Sequence, residues 1–175
     1  SAPRLMAKVK NEPHWNPVLF AAPRGQVHLY FKVGPVPHQW RTWSMTSDDD
    51  GANWSEPREL ARDQAITLGP SKNKPIALED GTWIAPNSTT IDGKWVVFAD
   101  RSTDDGSTWM RGGFIDLDHS ECTGKGAIQP TLWESRPGHV HMLVRTTSGR
   151  VWRSDSMDGG ETWAPLYPTA IPNNN

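Results

Sequence analysis

Three residues precede proline in matching contexts: Asn16 in NPVLF (16–20), Lys74 in KPIAL (74–78) and Gln129 in QPTLW (129–133). Three more stand seven residues beyond aligned glycines (Gly25, Gly81, Gly138): Lys32, Ser88 and Arg145. Lys72 and Asn73 adjoin Lys74, and His38 and Trp40 follow Lys32. The set is rich in cations and amides. Lysine and arginine grip carboxylates through charge-assisted hydrogen bonds, amides bond hydroxyls, and an indole can cover a sugar face. Recognition of a carboxylated sugar is the chemistry this set suits, with Asn16, Lys32, Trp40, Lys72, Asn73, Lys74, Gln129 and Arg145 as substrate-binding candidates. The catalytic residues themselves are not identified. His38, and His119 in FIDLDHSE, are candidate general bases, but the sequence names no partner for either. His28 and His141 occupy equivalent strand positions, which favours structural roles.

The elements that would position these residues announce themselves by repetition. SDDDGANW (47–54) returns as STDDGSTW (102–109) and SMDGGETW (156–163), at intervals of 55 and 54 residues. A fixed period of this length is the mark of a repeat architecture. Upstream of each copy lie GQVHLYFK (25–32), GTWIAPNS (81–88) and GHVHMLVR (138–145), the first and third alternating as strands do. WRTWSMTS (40–47), WVVFADRS (95–102) and VWRSDS (151–156) then run into the octapeptides. The unit reads as four short antiparallel strands, and no helix-period stretch of ten residues interrupts it. Repeated four-stranded sheets are the blades of a β-propeller. The fold class is all-β, with about three blades over 12–60, 70–115 and 125–168, in one partial propeller domain spanning 1–175.

Within the octapeptide, Gly51, Gly106 and Gly160 can take a positive φ, and Asp49, Asp104 and Asp158 can accept hydrogen bonds from turn amides. Ser47, Ser102 and Ser156 open the turns, and Trp54, Trp109 and Trp163 can fold back over them. Three like turns cannot all be one active site, so these residues read as scaffold. Asp48-Asp49-Asp50-Gly51 lacks the downstream glutamate of a calcium loop, so no metal is expected, nor any cofactor.

Composition narrows the partners. The net charge of −2 offers nothing to a polyanion, so no nucleic-acid partner is expected. No apolar run reaches the roughly 20 residues of a membrane span. The single cysteine, Cys122, excludes an intramolecular disulfide. Ten tryptophans against four phenylalanines point to a repeated structural use, a ligand surface, or both.

S-x-D-x-G-x-x-W resembles the Asp box of the BNR repeats of sialidases and related six-bladed propellers. WNPVLF (15–20), YFKVG (30–34), GPSKNKPIALEDGTWIAPNS (69–88) and IQPTL (128–132) extend the resemblance to the BNR-like "predicted neuraminidase" group over most of the chain. The resemblance implies a carbohydrate-active propeller acting on a terminal acidic sugar, sialic acid or uronate, of a glycan. Sialidases of this fold use three arginines, a tyrosine nucleophile with a glutamate partner, and an aspartate acid/base. Here only Arg145 is placed on the axis, and Tyr30 and Tyr167 are the only tyrosines. A polysaccharide lyase on a uronate-containing glycan and a non-catalytic glycan-binding propeller stand as alternatives. Closed propellers have four to eight blades. The expected partners are therefore an acidic oligosaccharide and a second chain, either the remaining blades or another copy of this one, to complete ring and site. Secretion or an extracytoplasmic location suits an enzyme of polymeric glycans. In a propeller the first strand of each blade lines the axis, and the octapeptide turns lie at the end opposite the site.

Overall fold

The computed structural model describes residues 2–60 and 68–173. It contains twelve strands among these residues and one short 3-10 turn, Pro37–Gln39, with no α-helix. The first sheet is formed by β1 (His14–Ala21), β2 (Val27–Val33), β3 (Arg41–Ser47) and β4 (Arg58–Glu59). The second contains β5 (Ile76–Ala77), β6 (Trp83–Ile91), β7 (Lys94–Ser102) and β8 (Met110–Arg111). The third contains β9 (Ala127–Arg136), β10 (His139–Thr146), β11 (Arg150–Ser156) and β12 (Tyr167–Pro172). In each sheet neighbours in sequence are neighbours in space, and every pairing is antiparallel. This is a run of three propeller blades.

Each blade turns from its third strand towards its fourth through the octapeptide, and the same bonds close all three turns. The Ser47, Ser102 and Ser156 hydroxyls accept from the amides of Gly51, Gly106 and Gly160 at 2.8–2.9 Å. Each hydroxyl donates to the aspartate two residues on, at 2.7–2.9 Å. That carboxylate accepts the backbone N–H of Asn53, Thr108 or Thr162 at 2.7–2.9 Å. The indole N–H of Trp54, Trp109 and Trp163 donates back to the glycine carbonyl. The glycines have φ between 77° and 85°, which a Cβ would oppose.

The blades pack through their faces. β6 is buried on both sides from Trp83 to Asn87, because its sheet lies between the other two. Between the first and second blades, Val18 and Tyr30 meet Trp83, Ala85 and Trp109, with Phe20 edge-on to Trp83 at 4.9 Å. Fully burying side chains of this kind contributes roughly 1.5–3 kcal/mol each. Between the second and third, Ile84, Val97 and Ala99 meet Val140, Met142 and Leu132. The outer face of the first blade (Leu29, Phe31, Val33, Met45) is covered by Met6, Ala7 and Val9 of the segment preceding β1. No helix among the described residues is long and apolar enough to cross a membrane.

Candidate functional site

The innermost strands β1, β5 and β9 converge on a cleft of about 630 Å³. Its walls include Leu19 and Phe20 of β1, Ile76 of β5 and Thr131 of β9. Lys72, Asn73 and Lys74, on the approach to β5, line the same cleft. Both lysines are exposed, and Lys72 adopts φ 65°.

Two of the pre-proline positions share one local geometry. Asn16 (φ 47°) and Gln129 (φ 57°) are both left-handed. A following proline disfavours the right-handed helical region, and asparagine tolerates the left-handed one. The strand register shifts at each, between Trp15 and Val18 in β1 and opposite Leu143–Arg145 in β9. Such bulges re-aim side chains beside sites. Lys74 is the exception to the expected equivalence, since in this blade the left-handed residue is Lys72.

Asn73 ties the second and third blades together at the cleft. Its amide donates to the Gln129 carbonyl at 3.2 Å and, more closely, to that of Pro130. The Gln129 amide N–H reaches the Ser88 hydroxyl at 3.5 Å, and its side-chain oxygen accepts from Arg145 Nη1 at 3.3 Å. The Arg145 guanidinium lies 5.4 Å from the centre of the Trp95 ring, and Lys125 Nζ lies 5.5 Å from the same ring. Trp95 is a cation platform that the sequence reading did not single out. Three polar atoms of the expected set are buried without a hydrogen-bond partner: Asn16 Nδ2, Trp40 Nε1 and Arg145 Nε. Unpaired buried donors cost about 1–3 kcal/mol each.

Lys32 departs from its expected place on the rim. β2 presents it to the second blade, so it is 1 % exposed at the seam. Lys32 Nζ donates to Thr42 Oγ1 at 2.6 Å, and that hydroxyl donates to the Leu68 carbonyl at 2.6 Å. Across the seam Asp100 Oδ2 accepts from Gly69 N at 2.8 Å and Asn87 Nδ2 at 3.0 Å. Burial pushes the Lys32 ammonium down to about 7, against the pull of Asp100. Burial pushes the Asp100 carboxyl up to about 7, against hydrogen bonds from Asn87 and Gly69. Lys32 therefore anchors the approach to Lys72–Lys74 and is not itself on the open surface.

Trp40 is half-buried under Trp15: the rings stack at 5.6 Å and 28°. The two candidate bases lie in connections of different blades. His38 is exposed in the β2–β3 loop. His119, also exposed, lines a hollow of about 180 Å³ with Trp95, Phe114 and Asp116. His28 is buried against Trp83 and Tyr30, its Nδ1 3.2 Å from the Tyr30 hydroxyl. His141 contacts Asp155 through Nδ1 and Ser135 Oγ through Nε2 at 2.7 Å. No group of three or more His, Cys, Asp or Glu among the described residues could hold a metal ion.

The whole chain, residues 1–175, matches the BNR repeat-like domain, and it belongs to that family. No curated protein matches the sequence. Among solved structures it is similar to a Hadza microbial sialidase, with TM-score 0.74 and 18 % identity over 91 % of this chain and 34 % of that one. A Dyadobacter fermentans protein of unknown function gives TM-score 0.73 and 15 % identity over 93 % of this chain and 52 % of that one. The α-L-arabinanase of Penicillium chrysogenum, solved with arabinobiose, gives 0.67 and 18 % over 91 % and 50 %. The chain thus spans between a third and about half of these proteins, and the shared feature is the propeller fold.

Proposed function

We propose that this chain is part of a sialidase-like propeller that hydrolyses the bond to a terminal acidic sugar, sialic acid or uronate, of a glycan. The observation that carries the reading is the placement of Lys72 and Lys74, both exposed, on the cleft where the three innermost strands converge. Their ammonium groups suit a carboxylate, and Asn73 and Gln129 beside them supply amides for hydroxyls. Membership of the BNR repeat-like family supports a glycan substrate.

The catalytic groups, in this reading, come from sequence outside the chain. Among the described residues His38 and His119 lie in separate connections and show no carboxylate hydrogen-bond partner. The internal repeat supports completion by a further blade. His28, Tyr30 and Lys32 of β2 are buried by the second blade, and Ile84 of β6 by the third. The equivalent row of β10, His141, Leu143 and Arg145, is only half-buried. Further blades supplied by sequence outside the chain would cover it as its counterparts are covered.

Titration with N-acetylneuraminic acid, glucuronic acid and glucose tests the reading. Lys72→Ala and Lys74→Ala should each weaken the two acids about tenfold, the scale of one lost charge-assisted bond. Glucose should be indifferent to both changes. Equal losses for glucose and the acids, or no loss for any, would remove the carboxylate from the proposal.

A further inference from the structure

Gly69 is held on both sides of its backbone by buried side chains. Its amide donates to Asp100 Oδ2 at 2.8 Å, and its carbonyl accepts from Asn87 Nδ2 at 3.2 Å. The same Nδ2 donates to Asp100 Oδ2 at 3.0 Å. One residue earlier, the Leu68 carbonyl accepts from Thr42 Oγ1, which in turn accepts from Lys32 Nζ, each at 2.6 Å. Two consecutive residues are thus gripped by strands of two blades, β2 and β3 of the first and β6 and β7 of the second. Gly69 has no room to shift: at φ 75° a Cβ would lie 2.4 Å from Leu60 Cδ2 and 3.4 Å from the Trp109 ring.

The gripped residues begin the strap that carries the cleft lysines. Leu68, Gly69 and Pro70 are buried at one end and Pro75 at the other, with Lys72 and Lys74 exposed between them. The Asn73 backbone N–H donates to the Ser71 carbonyl at 2.8 Å, and its side chain ties the strap to β9. Lys72 therefore stands between two ties, and Lys74 one residue beyond the second. Fixing a binding group before the ligand arrives lowers the ordering cost of binding.

Asp100 makes this grip depend on charge. A carboxylate holds N–H groups roughly twice as strongly as a neutral carbonyl does. Its Oδ2 is engaged by two donors, whereas Oδ1 is buried without a hydrogen-bond partner and is the oxygen open to a proton. Burial raises the carboxyl to about 7, against the bonds from Asn87 and Gly69. The charged groups that act on it are Lys32 of β2 and Arg111 of β8, its register partner. Lys32 is lowered by burial and raised by Asp100. Charged or neutral, it keeps an N–H for Thr42, so the tie to Leu68 survives its titration.

We infer that Asp100 and Asn87 are positioning residues for the lysine cleft, and that a proton on Asp100 slackens the strap and weakens an acidic sugar held by Lys72 and Lys74. The binding part rests on the acidic-sugar reading, whereas the strap is read without a ligand.

Amide resonances of Gly69, Lys72 and Lys74 report the strap directly. From pH 5.5 to pH 8.5 all three should shift together, with a midpoint near the carboxyl's value of about 7. Asp100→Asn keeps an acceptor for Gly69 and loses the charge, so the shared transition should vanish. Asn87→Ala removes a donor that lowers the carboxyl, so the midpoint should rise. N-acetylneuraminic acid stays ionised over this range, as ordinary carboxyl groups do. The wild type should bind it about fivefold more weakly at pH 5.5 than at pH 8.5, the scale of one weakened hydrogen bond. Asp100→Asn should bind it at the weaker level at both pH values. A shift of Gly69 with Lys72 and Lys74 unmoved would overturn the inference, since the grip would end at Gly69. So would one pH dependence, in shifts or in affinity, shared by wild type and Asp100→Asn. Transitions as expected, in a protein that binds no N-acetylneuraminic acid, would uphold the strap and count against the acidic-sugar reading. Binding that depends on Lys72 and Lys74, without the transitions, would uphold that reading and overturn this inference.

Discussion

Gly160 carries its missing side chain against Ile84 of the preceding blade: a Cβ there would lie 2.6 Å from Ile84 Cδ1. Gly106 has the same relation to the first blade, where a Cβ would fall 2.6 Å from the Tyr30 hydroxyl, and it would also meet the Trp83 ring of its own blade at 2.7 Å. Gly106 and Gly160 therefore answer to two constraints at once, a left-handed turn within their own blade and close approach to the preceding one. Gly51 has Trp54 of its own turn as its nearest neighbour, and among the described residues no sheet lies against that side of the first blade.

Gly160→Ala should consequently destabilise more than its backbone angle alone demands. Alanine at φ 78° costs about 1–2 kcal/mol, and overpacking the seam adds about 1–3 kcal/mol. Gly149→Ala is the control, since Gly149 has φ 75° and nothing within 4 Å of its Cβ position. Urea unfolding of both variants should place Gly160→Ala at least about 1 kcal/mol below Gly149→Ala. Equal losses would mean that the seam relaxes freely around the added methyl.

The fold was legible in the sequence because the bonds that close each turn run within eight residues. Ser102, Asp104, Gly106 and Trp109 satisfy one another locally, so their types and spacing suffice. The bulges at Asn16 and Gln129 were not legible, because Lys74 also precedes proline and is not left-handed. Nor was Lys32. Its register matches Ser88 and Arg145, but which residues of a strand become interior depends on whether a neighbouring sheet covers that face. For Lys32 one does, whereas Arg145 is only half-buried, with its guanidinium over Trp95. Exposure within the Trp15–Trp40 stack, where Trp15 is the more exposed ring, is likewise a tertiary property.

Lys32 should make stability rise with pH above neutrality. Its folded value, about 7, lies below the 10.5 of an unperturbed lysine, so the unfolded chain binds more protons between those limits. Stability then grows as pH climbs through that window, and the full cost of the buried ammonium is present below it. The midpoint of thermal unfolding should rise from pH 7 to pH 9.5. Lys32→Met should flatten that rise. A rise of the same slope in the variant would assign it to other groups.

Asp158 should do the opposite at acid pH. Partial desolvation pushes its carboxyl up, but bonds from the Thr162 side chain and amide, from Ser156 and from the Glu161 amide outweigh it and hold the group at about 2. Its contribution is intact above the ordinary value of 3.8 and is lost as pH falls towards 2. Asp158→Ala should cost about 1–2 kcal/mol at pH 7 by removing these acceptors. The difference between variant and wild type should shrink as the pH is lowered from 4 to 2. A difference constant over that range would show that the carboxylate charge does not contribute.

Asn73 should prove to be a positioning residue of the cleft. Its amide is the donor that the Gln129 and Pro130 carbonyls share across the blades, and the lysines stand on either side of it. Asn73→Ala removes that donor and should cost about 1–2 kcal/mol of stability. Asn73→Asp should cost more at pH 7, because a carboxylate would then face two carbonyl oxygens, each an acceptor. Part of that excess should return when the pH is lowered through the carboxyl's own titration, since a protonated acid can donate where the carboxylate cannot. The alanine variant should show no such return. If both variants lost the same stability at every pH, the contacts to Gln129 and Pro130 would be incidental to the seam. Binding gives a second readout: in Asn73→Ala the approach carrying Lys72 and Lys74 loses its tie to β9, so N-acetylneuraminic acid should weaken while glucose stays indifferent.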